Sequence, residues 1–417
     1  MIRIYPSSLE GRLKSIPSKS LSHRYLIAAS LAKGTSEIHD LLTADDIEAT
    51  KKALASFGVI IQGRTVFGGE LSVLNQDINC HESGTTLRFI IPFSLLFHEA
   101  ITIRGEGRLP LRPLTPYEEV FKHKAVKYEK LSDLHLPIRV RGRIKGGYMK
   151  IQGNISSQFI SGLLLISPVL KQDTVIEIEG PFESKPYVDL TLEVMRQFGI
   201  DVIEVLPYYY IKGSQTYQPG VYRIEGDYSQ AAFFLAAGVL THRIQITGLH
   251  PESRQGDRKI LEILNDMNGI VHVKDDLIES SKSQLVATRI DLSQIPDLGP
   301  ILFVLAAKAK GKTRFTQYQR LRLKESDRID AMKEAFDQLG ISMVIHENWI
   351  EIEGQKTIQG GQTINTHGDH RIFMALSILA TTTEEGLILT DETSIQKSYP
   401  GFLEDLKQLG GHYDILK

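Results

Sequence analysis

The sequence predicts an α/β protein built from repeated units, and three observations support this fold class. Six stretches that are almost wholly apolar, each with a small or polar front end, recur about 70 residues apart. An amphipathic helical pattern follows each stretch, and short β-branched runs fill the gaps. The length of 417 residues favours two domains, so three units per domain is the natural grouping.

The apolar stretches predict buried helices whose amino-terminal ends emerge at a surface. They are "SKSLSHRYLIAASLAKG", "SGTTLRFIIPFSLLF", "SSQFISGLLLISPVL", "DYSQAAFFLAAGVL", "DLGPILFVLAAKAKG" and "GDHRIFMALSILA". Ser, Thr and Asp at such fronts are expected as helix caps. Helix amino termini also carry a positive partial charge and free N–H donors, so they attract anions.

The amphipathic helices are predicted in the segments between the apolar ones. The candidates are "DDIEATKKALASFGV", "TPYEEVFKHKAV", "YVDLTLEVMRQFGI", "RKILEILNDMNGI", "RIDAMKEAFDQLGI" and "GFLEDLKQLGG", several of which stop at a glycine, as helix carboxyl termini do. Runs such as "TVIEIEG", "YRIEG", "RIQITG" and "NWIEIEG" are typical of strands. We place the break between domains near Gly226 and Asp227.

Composition excludes several classes of function. The net charge of −2 gives no global basic field for a nucleic acid. No apolar run reaches the roughly 18 residues of a membrane span, and the amino terminus lacks the apolar core of a signal peptide. The single Cys80 excludes an internal disulfide and a cysteine-based metal cluster. We expect a cytoplasmic protein without a nucleic-acid or membrane partner, in which Cys80 is an inert packing residue.

Basic residues at the helix fronts call for an anionic partner. Lys19, Arg24, Arg88 and Arg371 are predicted in first turns, where a cation opposes the helix dipole. Ser20 and Arg24 are four residues apart and share a helix face, an arrangement that suits a phosphate or a carboxylate. A capped helix with solvated charges is the alternative.

Four further stretches carry candidate chemistry. In "RLRLKESDRID", Lys324 and Arg328 are four apart, which fits either a salt-bridged helix start or an anion site. "THGDHR" places Asp369, His370 and Arg371 before an apolar helix, and a metal site there is weakly indicated. "RGEGRLPLRP" predicts a loop that presents Arg108 and Arg112, and "SIQKSYPG" places Lys397 in a loop.

Ten motifs together resemble one family. In order they are "SKSLSHR", "SGTTLR", the "RP" at Arg112, "SSQF", "SKPYVD", "EGD", "IPD", "KESDR", "GDHR" and "QKSYP". Their order and spacing, over about residues 10 to 405, are similar to those of the 5-enolpyruvylshikimate-3-phosphate synthase family. The chain departs from the family pattern at Pro17, where a glycine is usual, and at Arg320, where some members have Asn; the role of Arg320 is left open.

The resemblance implies a two-domain enolpyruvyl-transferase fold. Each domain would hold three βαβαββ repeats, with helix amino termini facing an interdomain cleft. Residues 1–13 and 227–417 would form one domain, with the first strand near Ile2 to Tyr5, and residues 14–226 the other. The family reaction transfers the enolpyruvyl group of phosphoenolpyruvate to the 5-hydroxyl of shikimate 3-phosphate, in chorismate and aromatic amino acid biosynthesis. It needs no metal or other cofactor, and we expect a monomer that glyphosate inhibits.

The resemblance also implies which residues bind the substrates. The contacts expected for shikimate 3-phosphate are Lys19, Ser20, Arg24, Ser156, Ser157, Gln158, Ser184, Asp297 and Lys324, with Tyr187 near the ring. Those expected for phosphoenolpyruvate are Gly84, Arg112, Gln158, Arg328, Arg371 and Lys397, and Lys19 and Lys324 are expected to reach both substrates. Gly84 would let phosphoenolpyruvate approach a helix end closely, because glycine has no Cβ.

The bonds that change define the catalytic roles. The methylene carbon must gain a proton while the hydroxyl adds to its neighbour, and elimination then reverses the proton movement, so an acid and a base are both required. We hypothesise that Asp297 accepts the hydroxyl proton and Glu325 protonates the methylene carbon, with Lys19 or Lys324 sharing either role. A carboxylate among so many cations tends toward a low pKa, which is awkward for Glu325 as an acid.

Three alternatives remain from the sequence. UDP-N-acetylglucosamine enolpyruvyl transferase shares the fold, but that family carries a cysteine in the loop matching "RGEGRLPLRP". RNA 3′-terminal phosphate cyclase has related repeats but requires a nucleotide site. A non-catalytic anion-binding protein would not need both Asp297 and Glu325.

Overall fold

The structure, a computed structural model, describes residues 1–416 and contains two compact units. The first unit comprises Met1–Ile16 together with the chain from Glu225 onward, and the second comprises Pro17–Ile224. The sequence predicts these borders between residues 13 and 14 and between 226 and 227. Among the described residues, no helix has the length and apolar character needed to span a bilayer.

Each unit contains three buried apolar helices and three amphipathic ones. The apolar helices are α1 (Lys19–Leu31), α3 (Gly84–Ser94), α5 (Ser157–Ile166), α7 (Tyr228–Leu240), α9 (Gly299–Lys308) and α11 (His370–Ala380). The amphipathic helices are α2 (Asp45–Ala55), α4 (Thr115–Lys122), α6 (Lys185–Gln197), α8 (Ile260–Asp266), α10 (Arg328–Gln338) and α12 (Phe402–Gln408). Eleven lie within the segments where the sequence predicts them, and α6 begins two residues before its predicted segment, at Lys185.

The second unit holds three four-stranded sheets. Their orders are β14-β3-β5-β4, β6-β7-β9-β8 and β10-β11-β13-β12. The strands are β3 (Gly34–His39), β4 (Ile60–Gln62), β5 (Thr65–Gly68), β6 (Asp77–Asn79), β7 (Ala100–Arg104), β8 (Val126–Lys130), β9 (Ile138–Gly142), β10 (Gly147–Gln152), β11 (Thr174–Glu179), β12 (Val202–Val205), β13 (Tyr208–Ile211) and β14 (Val221–Arg223).

The first unit repeats the same pattern. Its sheets run β2-β15-β17-β16, β18-β19-β21-β20 and β22-β23-β1-β24. The strands are β1 (Ile2–Ile4), β2 (Glu10–Lys14), β15 (Arg243–Thr247), β16 (Ile270–Lys274), β17 (Leu277–Ser281), β18 (Arg289–Asp291), β19 (Lys312–Thr316), β20 (Met343–Ile345), β21 (Trp349–Glu353), β22 (Thr363–Ile364), β23 (Leu387–Leu389) and β24 (Tyr413–Ile415).

Every sheet has one parallel pair followed by antiparallel ones, which is the βαβαββ order predicted for the repeat. The parallel pair flanks the apolar helix in four sheets, for example β6 and β7 around α3. In the other two, the chain has exchanged its first strand: β2 pairs with β15, and β14 pairs with β3. The chain therefore passes between the units once after β2 and once after β14.

Polar caps at the apolar helices position the functional side chains. Ser18, Ser83, Ser156, Asp227 and Asp369 each accept a hydrogen bond from a backbone N–H in the first turn of the helix that follows. Because the helix bodies are buried, these first turns are where each repeat presents polar groups.

Candidate active site

The front of α1 is neutralised from within the protein. Lys19, its first residue, places Nζ 2.8 Å from Oδ2 of Asp46 in α2, and both side chains are largely buried. The anion that a cation at this position requires is thus supplied in part by Asp46, a residue that sequence reasoning did not select. Ser20 follows Lys19, and its carbonyl accepts a hydrogen bond from Arg24.

The prediction that Arg24 and Arg88 lie in first turns is wrong, but their charges still reach the helix ends. Each residue sits four positions after the one whose carbonyl it contacts: Arg24 Nη1 donates to Ser20 at 2.7 Å, and Arg88 Nη1 donates to Gly84 at 3.0 Å. Side chains of a helix point back toward its amino terminus, so both guanidinium groups extend to a carbonyl one turn earlier.

Arg24 is anchored by polar groups of neighbouring helices. Its Nε donates to Thr191 Oγ1 at 2.7 Å and its Nη2 to the carbonyl of Tyr187 at 2.7 Å, and both acceptors belong to α6. Burial lowers the pKa of Arg24 to about 10. The guanidinium remains charged at neutral pH and ties α1 to α6.

The front of α3 brings Gly84 and Arg112 together. A Cβ on Gly84 would lie 2.7 Å from Nη1 of Arg112 and 2.7 Å from Nη1 of Arg88. Two guanidinium groups therefore flank the first residue of a buried helix whose amino end is positive. Arg112 follows a 3-10 helix, Leu109–Leu111, where the sequence predicted a loop.

The front of α5 lies against the same helix. Ser156 caps α5 by accepting from the Gln158 N–H, Ser157 is buried, and Gln158 Nε2 donates to Thr85 Oγ1 at 2.7 Å. Thr85 is a second residue that sequence reasoning missed. Gln158, Thr85 and Gly84 therefore form one continuous polar edge.

Ser184 stands directly before α6 in a left-handed conformation, with φ 54° and its side chain buried. A serine held there is strained, and such strain is found where a site constrains the backbone. The carbonyl of Ser184 accepts a hydrogen bond from the Tyr187 N–H at 3.1 Å. In the second unit, Lys19 therefore contacts Asp46, Arg24 contacts the Tyr187 carbonyl, and Arg112 lies beside Gly84.

In the first unit, Arg328 forms ion pairs with three carboxylates. Its Nε lies 2.8 Å from Asp369 Oδ2, its Nη2 2.7 Å from Glu325 Oε2, and its Nη1 3.1 Å from Asp297 Oδ1. The guanidinium is buried, and the three carboxylates raise its pKa further above the ordinary value against the effect of burial. Removing one partner of such a buried pair is strongly destabilising.

Lys324 and Arg328, for which the sequence favours either a salt-bridged helix start or an anion site, do not lie on one helix. Lys324 is extended, and α10 begins only at Arg328. The two meet through Asp297, whose Oδ1 lies 3.0 Å from Lys324 Nζ. Asp297 itself belongs to a 3-10 turn, Pro296–Leu298, immediately before α9.

The charges around Asp297 set its protonation. Burial disfavours the carboxylate, but Lys324, Arg371 and Arg328 outweigh it and hold the pKa of Asp297 well below its usual range. Burial lowers the pKa of Lys324 to about 8, although Asp297 opposes this shift. At neutral pH the pair is therefore charged, and Lys324 titrates closer to neutrality than Asp297.

Arg371 and Lys397 complete this group. Arg371, in the first turn of α11 as predicted, donates from Nη1 to the carbonyl of Asp297 at 3.1 Å. Lys397 ends a 3-10 helix, Glu392–Lys397, and not a loop, and its Nζ donates to the carbonyl of Gly368 at 3.1 Å. Both cations therefore lie at the front of α11.

The sequence marks Asp369 but does not predict its pairing with Arg328, and it does not mark Asp257 at all. Asp369 caps α11, accepts from Ser326 Oγ at 3.0 Å and binds Arg328, so one carboxylate organises two helix fronts. Asp257 is buried beside Ser229. Its burial, and to a smaller extent the negative charge of the nearby Asp297, raises the pKa of Asp257 to about 6. Asp257 stands in the stretch "RQGDRK", and nothing in that stretch distinguishes it from an exposed, charged loop. Within residues 1–416, no cluster of three metal-ligating side chains occurs.

Comparison with known proteins gives consistent results. Residues 5–406 match the family described as EPSP synthase (3-phosphoshikimate 1-carboxyvinyltransferase). A 3-phosphoshikimate 1-carboxyvinyltransferase of Clostridium botulinum (strain Alaska E43 / Type E3) is 42% identical, covering 99% of this chain and 98% of that protein. The corresponding protein of Clostridium perfringens (strain ATCC 13124) is also 42% identical, with 98% of each chain covered.

Solved structures show the same fold. An EPSP synthase from Acinetobacter baumannii superposes with a TM-score of 0.83 at 24% identity, covering 99% of both chains. The enolpyruvyl transferase NikO from Streptomyces tendae gives 0.79 at 16% identity, covering 99% of this chain and 98% of the other. With a family match over nearly its whole length, the chain belongs to the EPSP synthase (3-phosphoshikimate 1-carboxyvinyltransferase) family.

Proposed function

We propose that the chain transfers the enolpyruvyl group of phosphoenolpyruvate to the 5-hydroxyl of shikimate 3-phosphate and releases inorganic phosphate. The observation that carries this proposal is the match to the family from residue 5 to residue 406, with the motif residues brought together in each unit. The product would serve chorismate and aromatic amino acid synthesis. We further propose that the protein acts as a cytoplasmic monomer without a metal or cofactor.

The binding assignments follow the motifs that the chain shares with the family. For shikimate 3-phosphate we propose Lys19, Ser20, Arg24, Ser156, Ser157, Gln158, Ser184, Asp297 and Lys324. For phosphoenolpyruvate we propose Gly84, Arg112, Gln158, Arg328, Arg371 and Lys397. The substrates carry two phosphates and two carboxylates, and guanidinium groups that are already oriented by protein partners bind such groups with little further ordering.

The proton transfers are assigned to Asp297, Glu325 and the two lysines. The low pKa of Asp297 makes its carboxylate a weak base, so it accepts the hydroxyl proton only as the new C–O bond forms. Glu325 is held by Arg328 at 2.7 Å, which keeps its position fixed. Lys324, with a pKa of about 8, is better matched to proton donation near neutral pH. We assign Lys19, which Asp46 holds in place, a share in either proton transfer.

The direct test is an acceptor comparison. Purified protein with phosphoenolpyruvate should release phosphate with shikimate 3-phosphate and not with UDP-N-acetylglucosamine. The family relation and the place of Cys80, buried and far in sequence from the Arg112 loop, both disfavour the second acceptor. Turnover with UDP-N-acetylglucosamine, or with neither acceptor, would reject the proposed function.

Conservative neutralisation tests the catalytic carboxylates. We expect Asp297→Asn and Glu325→Gln each to lower kcat by roughly 10²- to 10⁴-fold, because each removes a proton-transfer group. Equilibrium binding of shikimate 3-phosphate should be measured in parallel to separate catalysis from affinity. A variant that binds and turns over at near-normal rates loses its assigned role.

The pH profile tests Lys324. Its ammonium form exists below its pKa, so raising the pH through about 8 removes a charge that the substrates need. We expect kcat/KM for shikimate 3-phosphate, which reports the free enzyme, to fall by about tenfold per pH unit well above this pKa. Lys324→Arg should be slower, but its kcat/KM should not fall with pH in this range, because an arginine stays charged. The same fall in that variant would assign the titration to another group.

Gly84→Ala tests the close approach of phosphoenolpyruvate to α3. The new methyl group would displace the ends of Arg88 and Arg112, which are flexible, so the fold should persist. We expect KM for phosphoenolpyruvate to rise roughly tenfold, because small displacements of positioning groups are costly. The inhibition constant of glyphosate should rise by a larger factor than KM for phosphoenolpyruvate, while KM for shikimate 3-phosphate stays within about twofold of wild type. Equal inhibition of wild type and Gly84→Ala by glyphosate would contradict the assignment.

A further inference from the structure

A chain of buried hydroxyl groups links an imidazole to the front of α3. Nδ1 of His23, in α1, lies 2.7 Å from Thr50 Oγ1, which lies 2.6 Å from Thr86 Oγ1, which lies 2.7 Å from Ser83 Oγ. All four side chains are buried. Ser83 is the cap of α3 and immediately precedes Gly84.

Competing bonds within this chain are longer. Thr86 Oγ1 lies 3.3 Å from the carbonyl of Asp46, and Thr50 Oγ1 lies 3.4 Å from the same oxygen. The short contacts therefore define one path, in which each hydroxyl has a single proton to donate.

Proton counting leaves two possible directions for the chain. If His23 carries its proton on Nδ1, that N–H donates to Thr50, the Thr50 hydroxyl donates to Thr86, and the Thr86 hydroxyl donates to Ser83. The proton of the Ser83 hydroxyl is then free to be donated to another acceptor. If Nδ1 is bare, every hydroxyl turns round, and Ser83 donates to Thr86. The tautomer of His23 thus decides whether Ser83 can donate a hydrogen bond at the front of α3.

The surroundings of the ring favour the first direction. Nε2 of His23 is buried and has no hydrogen-bond partner among residues 1–416, so a proton there would face no acceptor. A proton on Nδ1 has Thr50 as its acceptor. Burial, followed by the charges of Lys19 and Arg24, holds the pKa of His23 well below its usual value, so the ring is neutral.

We propose that His23 is a positioning residue that orients the Thr50–Thr86–Ser83 hydroxyl chain so that Ser83 donates a hydrogen bond to phosphoenolpyruvate at the front of α3. This inference rests on the proposed function, which places that substrate beside Gly84. His23 does not touch the substrate and acts only through the three hydroxyl groups.

Thr86→Val cuts the chain at its middle with little change of shape. We expect KM for phosphoenolpyruvate to rise roughly five- to tenfold, because Ser83 loses the hydrogen bond from Thr86 that orients its hydroxyl, with KM for shikimate 3-phosphate unchanged. Thr86→Ser should restore the wild-type value. The matched control is Ser94→Ala, which removes another buried hydroxyl of α3, one bonded to the Ile90 carbonyl at 2.8 Å; it should leave both KM values unchanged.

A spectroscopic readout separates this role from a purely structural one. In ¹⁵N-histidine-labelled protein, with the His23 signals assigned by His23→Asn or, if that variant does not fold, by Thr50→Val, we expect the proton on Nδ1. Adding inorganic phosphate, or phosphoenolpyruvate with shikimate 3-phosphate, should shift the Nδ1 signal in wild type and in Ser94→Ala, but not in Thr86→Val.

The outcomes are distinguishable. A proton on Nε2, or an equal ligand-induced shift in Thr86→Val and wild type, would overturn the role of His23. A wild-type protein that releases no phosphate would overturn the proposed function instead. The ¹⁵N signals of His23, followed as inorganic phosphate is added, would still report whether the hydroxyl chain is oriented as inferred.

Discussion

The burial of one apolar helix in every repeat is the constraint on which the rest of the molecule depends. A buried helix leaves the N–H groups of its first turn without partners inside the helix, and these must be satisfied at its front. Ser18, Ser83, Ser156, Asp227 and Asp369 do this by capping. The capping side chains therefore lie at the amino-terminal end of each of these five helices, where the positive end of the dipole also lies.

Placing cations at these same ends requires a counter-charge, and the protein supplies much of it. Asp46 holds Lys19, and Asp369 holds Arg328 while capping α11. A buried cation without such a partner would be costly. The guanidinium and ammonium groups are thereby oriented before any ligand arrives, which lowers the ordering cost of binding an anion.

The same crowding of charge sets the proton chemistry. Asp297 is surrounded by Lys324, Arg328 and Arg371, and its pKa is held low, whereas burial brings the pKa of Lys324 to about 8. A lysine whose pKa lies near the working pH, beside a carboxylate that stays ionised, suits proton transfer. In the second unit, burial keeps His23 neutral, so it can orient hydroxyl groups without adding another positive charge.

The amino-acid sequence by itself determined the repeat, the twelve helices and the family, because the alternation of apolar and amphipathic segments and the helix-stop glycines are local signals. It also marked Ser20, Arg24, Gly84 and Lys324 through family motifs. Only the tertiary structure decided that Asp46 pairs with Lys19, that Lys324 reaches Arg328 through Asp297, and that β2 pairs with β15 and β14 with β3. These contacts join residues far apart in the chain, and their distances depend on packing between elements, which no local pattern encodes.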